Sequence, residues 1–231
     1  MALKITSAGN AGVFIEADGV GIYIDSFFHH ISHVGGPPVF TGANAKKADL
    51  ILVTHSHYDH LHPDELTAAA LAIGATVAGP ASALELLADR LPADLLVELE
   101  PDERKRPPAS MTTEFGPVRV TAFRTYHGRG HNSYLIEVGP YRILHDADNE
   151  RTQPYDIDAL GRIDLLLLCP WSGSGAGAFV AKLNPKQWVL IHMTDEEIDQ
   201  HRAGSFLPAV ITPVPSGVVA LRGGETLELA F

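Results

Sequence analysis

Four side chains of the types that bind metal ions lie within six positions of the sequence. They are His55, His57, Asp59 and His60, in the segment His-Ser-His-Tyr-Asp-His. Imidazole and carboxylate groups held close together can surround a divalent cation. A lone histidine is most simply a solvated loop residue, but four ligand-type residues at this spacing favour a metal site. We predict that the first two histidines of this motif face one ion, while the aspartate and the last histidine face a second ion beside it.

The motif follows a segment that is predicted to form a buried strand. Residues 49–55 are a continuous apolar run that ends in polar residues, as expected for a strand covered on both faces. Pro63 suits the first turn of a helix, which is predicted over residues 64–73 and should stop near Gly74. The motif is therefore expected in a loop between a strand and a helix.

Two predicted β-hairpins echo each other in sequence. The first pairs residues 12–16 with 21–25, and the second pairs 133–138 with 141–145. The first ends in Asp25 and the second is followed directly by Asp146, which indicates an internal duplication. The other predicted elements are strands over 118–125, 164–169, 188–192 and 217–231, helices over 81–91 and 176–183, and a surface connection over 101–110.

Further candidate ligands lie at the ends of other predicted strands. His127 follows the strand at 118–125, and His192 ends the strand that begins at residue 188. Asp146 and Asp148 follow the second hairpin. An α/β sandwich with a metal site along one edge of its sheets would bring these strand ends together.

The composition is that of a globular protein that does not bind nucleic acid. Of 231 residues, 45% are hydrophobic and 19% are charged, and the formal net charge is -11. This length suits one layered domain, residues 1–231, with a substantial core. The negative charge would repel a phosphate backbone, and the basic cluster at 104–106 is short. A small-molecule substrate is the expected partner.

Cysteine content and hydropathy restrict the chemistry further. Cys169 is the only cysteine, which excludes an intrachain disulfide framework and a thiolate-rich zinc site. Metal ligands must therefore be nitrogen and oxygen atoms. The first five residues lack the apolar segment of a secretory signal, and no stretch is apolar for long enough to cross a bilayer. We expect no membrane contact and a cytoplasmic location.

The histidine motif after Leu52-Val53-Thr54, with the later histidines and aspartate in the same order, resembles the metallo-β-lactamase superfamily. The similarity spans nearly the whole chain and looks closest to the branch of ascorbate-phosphate lactonase-like and phospholipase-D-like hydrolases. It implies an α/β fold, a four-layer αβ/βα sandwich in which two mixed sheets carry helices on their outer faces. That fold agrees with the echo between the two hairpins.

The resemblance also implies two metal ions, each held by three side chains. The expected ligands are His55, His57 and His127 for one ion, and Asp59, His60 and His192 for the other. Asp148 is the expected bridging carboxylate, with Asp146 as the competitor, because the family usually has Gly-Asp where this chain has Ala147-Asp148. His127 is preferred to its rival His131 because it directly ends the β-run.

The function implied by the resemblance is that of a hydrolase in which a hydroxide bridging two divalent metals cleaves a small ester, lactone or phosphodiester. Zinc fits an imidazole-rich ligand set best, with manganese or iron as alternatives. Asp59 is also expected to act in catalysis, and Asp25 to accept a hydrogen bond from a ligand imidazole. Related members often carry histidine where this chain has Asn10, a change expected to alter substrate contacts without removing a ligand.

Two other functions compete with hydrolysis. An iron-dependent oxidoreductase on the same fold is disfavoured because such enzymes typically have glutamate at the position of His57. A non-catalytic metal-binding protein would be expected to have lost ligands, whereas every expected ligand position can be filled here. Arg124 and Arg129 flank His127 and are candidates to bind an anionic group, although exposed strand and loop charges are the commoner explanation.

Overall fold

The strands form two seven-stranded sheets within residues 2–102, 104, 106, 108–171 and 175–229, which are those described by the computed structural model. The strands of the first sheet are β1 (Leu3–Gly9), β2 (Gly12–Ala17), β3 (Val20–Ile24), β4 (Leu50–Leu52), β5 (Thr76–Gly79), β6 (Leu96–Glu98) and β14 (Thr226–Leu229). The strands of the second sheet are β7 (Ala109–Phe115), β8 (Val118–Arg124), β9 (Asn132–Val138), β10 (Tyr141–His145), β11 (Leu165–Leu168), β12 (Gln187–Leu190) and β13 (Val218–Ala220).

The two sheets share one pattern of strand directions. The first has the order β14-β1-β2-β3-β4-β5-β6, antiparallel as far as β3 and parallel from there. The second has the order β13-β12-β11-β10-β9-β8-β7, antiparallel between β7 and β10 and parallel between β10 and β13. The hairpins β2–β3 and β9–β10 therefore occupy equivalent positions, in agreement with the echo in the sequence.

Helices cover the outer face of each sheet. They are α1 (Pro63–Ile73), α2 (Ala81–Leu84), α3 (Ile157–Leu160), α4 (Ala176–Leu183), α5 (Asp195–Arg202) and α6 (Leu207–Val210). Side chains of α1 and α2 pack on the first sheet, and side chains of α3 to α6 pack on the second. None of the described helices is long and apolar enough to cross a membrane.

Successive side chains of the central strands point to opposite faces of their sheet, which explains the four layers. Leu50 and Leu52 of β4 point into the core between the sheets, whereas Ile51 points towards α1 and α2. The same alternation divides β11, in which Leu165 and Leu167 face the other sheet. Strands with both faces buried require apolar residues at successive positions, which is why their sequences read as continuous apolar runs. The predicted α/β sandwich with two mixed sheets is confirmed.

The helix predicted over residues 81–91 is wrong beyond Leu84. From there the backbone makes short-range turns, such as Leu87 N–H to Leu84 O and Arg90 N–H to Leu87 O. Leu84, Leu87 and Leu91 are nevertheless buried. Their spacing gives the one-sided apolar pattern of a helix, and a run of tight turns satisfies that pattern equally well.

Two strands that lead to predicted ligands end earlier than the sequence indicated. β4 ends at Leu52, because the backbone N–H of Thr54 donates to the Asp25 carboxylate at 2.8 Å. β12 ends at Leu190, and His192 has a φ of 60°, outside the strand region. In both places the chain leaves the sheet just before a ligand-type residue.

Candidate metal centre

The predicted ligands converge from four places in the fold. His55, His57, Asp59 and His60 lie in the loop after β4, and His127 lies after β8. Asp148 follows β10 and His192 follows β12. Both sheets therefore contribute side chains to one site, and each side chain follows closely on a strand that anchors its loop.

The first cluster consists of His55, His57 and His127, whose ligand atoms all lie within 4.8 Å of one another. His55 Nε2 is 2.9 Å from His57 Nδ1, and His127 Nε2 is 3.3 Å from the same atom. His55 is buried, whereas His57 is exposed and His127 is half-buried. The first cluster therefore has a buried side and a side open to solvent.

The second cluster consists of Asp59, His60, Asp148 and His192, again with ligand atoms within 4.8 Å of one another. His192 Nε2 lies 3.1 Å from Asp59 Oδ2 and 3.3 Å from Asp148 Oδ2. His60 Nε2 lies 3.2 Å from Asp148 Oδ2. Two imidazoles and two carboxylates thus face a common point.

Asp148 connects the two clusters. Besides its contacts in the second cluster, its Oδ2 atom lies 3.7 Å from His127 Nε2 and 4.0 Å from His55 Nε2. Asp146, its competitor in the sequence, is fully buried, and its Oδ1 accepts hydrogen bonds from Tyr155, Asn149 and Ser133. Burial raises the pKa of Asp146 to about 7. Of the two carboxylates, the structure brings Asp148 among the imidazoles.

The rival histidine, His131, has both ring nitrogens engaged elsewhere. Its Nδ1 lies 2.8 Å from Thr125 Oγ1, and its Nε2 accepts the backbone N–H of Asp148 at 3.2 Å. Since an accepting Nε2 leaves the ring proton on Nδ1, His131 donates to Thr125. Burial lowers the pKa of His131 well below its usual value. His131 thus supports the loop of Asp148, while His127 lies with the first cluster.

Asp25 lies directly behind the centre, buried at the end of β3. Its Oδ2 lies 2.8 Å from His60 Nδ1 and accepts the hydroxyl of Thr54 at 2.5 Å. The Thr54 hydroxyl in turn lies 2.9 Å from His55 Nδ1. One carboxylate is therefore linked to an imidazole in each cluster, as second-sphere partners of metal ligands commonly are.

The carboxylates around the second cluster raise the pKa values of its two histidines, as expected for a site that favours a cation. Burial lowers the pKa of His60, but the carboxylates of Asp148 and Asp25 outweigh it and hold that pKa well above its usual value. His192 behaves similarly: burial lowers its pKa, and hydrogen bonds to Asp148 and Asp59 raise it to about 9. The half-buried carboxylates of Asp59 and Asp148, with buried Asp25 behind them, thus favour positive charge, which protons or a divalent cation can supply.

The donor set fits a metal ion. His60 Nε2 and Asp148 Oδ1 are buried and have no hydrogen-bond partner among the described residues. In the first cluster burial lowers the pKa values of His55 and His57, which keeps their imidazoles neutral. Neutral imidazoles and ionised carboxylates are the protonation states in which these groups bind metals.

The structure adds contacts for three residues: Thr54 and Glu150 had no predicted role, and Asn10 was expected only to alter substrate contacts. Thr54 links Asp25 to His55, and Glu150 Oε1 lies 3.2 Å from His127 Nδ1. Asn10 hydrogen bonds to Asp59 at the second cluster. Thr54 could have been found, because it directly precedes the motif. For Glu150 and Asn10 no local pattern indicates the contact.

A pocket of about 610 Å³ opens beside His127. One wall comes from α2 and the end of β6, and the other comes from residues 124–130 and 150–151. The residues of the first wall are Ala81, Ser82, Glu85, Glu98 and Glu100. Three arginines line the second wall: Arg124, Arg129 and Arg151. Arg151 lies over the ring of Tyr126, 4.9 Å from its centroid. Four glutamates, Glu85, Glu98, Glu100 and Glu150, line the same pocket, so charges of both signs lie next to the first cluster.

Comparisons with known proteins agree with this geometry. The chain matches the family model described as "Beta-lactamase superfamily domain" over residues 4–189. It is 27% identical over 249 aligned residues to a protein of Heliobacterium modesticaldum named "UPF0173 metal-dependent hydrolase", and the alignment covers 98% of each chain. In this comparison the similarity extends along the full lengths of both proteins.

Solved structures show the same fold at low sequence identity. Igni18, described as a novel metallo hydrolase from Ignicoccus hospitalis, superposes with a TM-score of 0.72 at 16% identity and covers 100% of both chains. CmlA, a diiron β-hydroxylase from Streptomyces venezuelae, superposes with a TM-score of 0.67 at 19% identity. That match covers 99% of the present chain and 54% of CmlA. Both likenesses concern the fold alone.

Proposed function

Because the chain belongs to the beta-lactamase superfamily, we propose that it is a metal-dependent hydrolase with two divalent ions at this centre. The observation that carries the proposal is the position of Asp148, whose Oδ2 lies within 4.0 Å of imidazoles from both clusters. A carboxylate placed between two ligand clusters would suit a pair of neighbouring ions.

The proposed ligands divide between the clusters. They are His55, His57 and His127 for one ion, and Asp59, His60 and His192 for the other, with Asp148 shared. Zinc is the proposed metal because imidazole dominates the set, with manganese or iron as alternatives. Once bound, two such ions would acidify a shared water towards neutral pH and polarise the scissile bond.

The chain's own residues then have separate tasks. Asp25 and Thr54 hold the protons of His60 and His55 away from the centre. The side chain of Asp59 is 15% exposed, so its carboxylate is accessible from the solvent side. We assign Asp59 a catalytic task as well, that of accepting a proton from the attacking water.

The pocket beside His127 supports a small substrate. Its volume of about 610 Å³ lies within the range usual for small-molecule sites. Arg129 is exposed and is flanked by two glycines with positive φ, Gly128 and Gly130. Such an arginine can form two hydrogen bonds to a carboxylate or phosphate. We propose a small ester, lactone or phosphodiester as the substrate, with Arg129 as the residue that would hold an anionic group on it.

Oxidation by iron is the second candidate, and the fold shared with a diiron β-hydroxylase favours it. Against it stands His57, at the position where the resemblance implies glutamate in oxidative members. The two functions are distinguished by elemental analysis together with oxygen consumption. An iron-loaded protein that consumed oxygen with an organic substrate, and hydrolysed nothing, would replace the hydrolase proposal.

The decisive experiment combines metal quantification with a panel of lactone, carboxylic ester and phosphodiester substrates. We expect about two equivalents of divalent metal and loss of hydrolysis after chelation. His57→Ala should lose activity on any substrate that the wild type cleaves. His201→Ala, a change on α5 outside both clusters, is the matched control and should remain active. Full activity of the metal-stripped wild type and of His57→Ala would refute the proposal.

A further inference from the structure

We propose that Asn10 is a positioning residue that sets the geometry of the second cluster and so controls occupancy of one of the two ion sites. This inference rests on the proposed function, since it presupposes a metal at that cluster. Asn10 lies in the tight turn between β1 and β2, and 7% of its surface is exposed. Its contacts join two ligand-type residues that are far apart in the sequence.

The side chain of Asn10 holds Asp59. Its amide Nδ2 donates to the backbone carbonyl of Asp59 at 2.7 Å and lies 3.3 Å from Asp59 Oδ2. Because both partners are oxygen acceptors, the NH₂ group must face them. The two contacts restrain the main chain and the carboxylate of the same residue, and therefore the direction in which the carboxylate points.

The backbone of Asn10 holds His192. The N–H of His192 donates to the carbonyl of Asn10 at 2.9 Å. His192 has a φ of 60°, a conformation that costs energy in a residue other than glycine. The hydrogen bond to Asn10 helps to hold it there. His192 Nε2 then lies 3.1 Å from the carboxylate oxygen that the Asn10 side chain restrains.

Asparagine suits this position through the backbone conformation that it tolerates as well as through its side-chain amide. Asn10 has a φ of 48°, in the left-handed region that asparagine tolerates better than most residues. Gly35 closes over it, and a Cβ atom at Gly35 would lie 2.2 Å from Asn10 Oδ1. The side chain is thus enclosed with its amide directed at Asp59.

Asn10 touches the second cluster but not the first. Its hydrogen bonds to ligand-type residues within the described chain go to Asp59 and His192. The first cluster is held instead through Thr54 and Glu150. Removing the amide should therefore weaken one ion site selectively, whereas a general loss of folding would weaken both.

The test is a metal titration of Asn10→Gly against a chromophoric zinc chelator at pH 7.5. Glycine keeps the left-handed backbone and removes the amide. Loss of an outer-sphere partner typically costs about 10–100-fold in metal affinity, so we expect that decrease for one of two zinc equivalents and little change for the other. Asn10→Asp, with a carboxylate against the oxygens of Asp59, should show at least as large a decrease.

Asn184→Gly is the matched control. Asn184 also has a φ of 48°, but it ends α4 outside both clusters. Its replacement should leave both zinc equivalents at wild-type affinity. The inference is overturned if Asn10→Gly binds both ions as the wild type does, or loses both equally. A wild type that binds fewer than two ions would instead count against the proposed function.

Discussion

Replacing Asp25 by asparagine should weaken metal binding, although the side chain of Asp25 touches no ion in the proposed centre. Asp25 has a φ of 44°, a conformation that asparagine also adopts. The change therefore preserves backbone and shape, and it alters only hydrogen bonding. Three donors converge on the carboxylate: the N–H of Thr54 on Oδ1, and the hydroxyl of Thr54 and Nδ1 of His60 on Oδ2.

These bonds fix where the ring protons lie. A carboxylate only accepts, so the Thr54 hydroxyl must donate to Asp25. Its oxygen is then free to accept from His55 Nδ1–H at 2.9 Å. His60 Nδ1 also donates to Asp25. In both imidazoles the proton is held on Nδ1, which leaves Nε2 free to bind an ion.

An asparagine offers one acceptor oxygen and one donor nitrogen. If the NH₂ group takes the place of Oδ2, it faces His60 Nδ1, which must give up its proton, so Nε2 becomes the protonated atom. If the NH₂ group takes the place of Oδ1, it opposes the buried N–H of Thr54. Leaving a buried donor unpaired costs about 1–3 kcal/mol. Only the second orientation keeps the proton of His60 on Nδ1, so metal binding would bear this cost. Since about 1.4 kcal/mol corresponds to a tenfold change, metal affinity should fall about 5- to 150-fold.

The assay is competition of Asp25→Asn with a zinc chelator, together with circular dichroism to verify folding. Asp164→Asn is the control, because Asp164 is an equally buried carboxylate that pairs with Arg162 and Lys186 next to the second sheet. The control should bind zinc as the wild type does, even if it unfolds at a lower temperature. Wild-type zinc affinity in folded Asp25→Asn would refute the reasoning about ring protons.

Other predictions concern charge at the centre and in the pocket. The pKa of His192 is raised to about 9, so ion binding must displace its proton at neutral pH, and zinc affinity should rise with pH up to about 9. Calorimetry in buffers of different ionisation enthalpy should detect the released proton. No proton release at pH 7 would contradict the assignment of His192 as a ligand. Asp148→Asn removes the shared carboxylate oxygen and should weaken both zinc sites by more than about 100-fold in chelator competition; retention of either site would exclude the shared role. Arg129→Ala should raise KM about tenfold for anionic substrates with kcat little changed, while a similar loss on neutral substrates would show that the arginine is structural.

Much of the fold was predictable because the central strands are buried on both faces. Such strands read as apolar runs, and the residues that follow them are forced to the edge of a sheet. The placement of His127, Asp148 and His192 near the histidine motif follows from this rule. The choice of His127 over His131 stays a prediction; in the structure the nitrogens of His131 contact Thr125 and the backbone of Asp148.

The sequence was less informative where burial is incomplete or contacts are long-range. Strand β7 (Ala109–Phe115) alternates between half-buried and exposed residues after Ala109 at the edge of its sheet, and the sequence indicates a surface connection for its first two residues. Strand β1 was not predicted, so the sequence did not indicate where in the sandwich the turn with Asn10 lies. Its contact with His192 spans most of the chain, and nothing in either local sequence indicates it.

The two hairpins show how a repeated scaffold can support one centre from two sides. Asp25 and Asp146 occupy equivalent ends of β3 and β10, yet Asp25 contacts His60 directly, whereas Asp146 does not reach the imidazoles. Asp146 instead accepts from Ser133, whose hydroxyl lies 3.0 Å from that of Thr125, the partner of His131. This series of hydrogen bonds continues through His131 and ends at the backbone N–H of Asp148. One half of the molecule therefore orients a ligand ring and the other orients a ligand loop, so the proposed centre requires both sheets to be packed together.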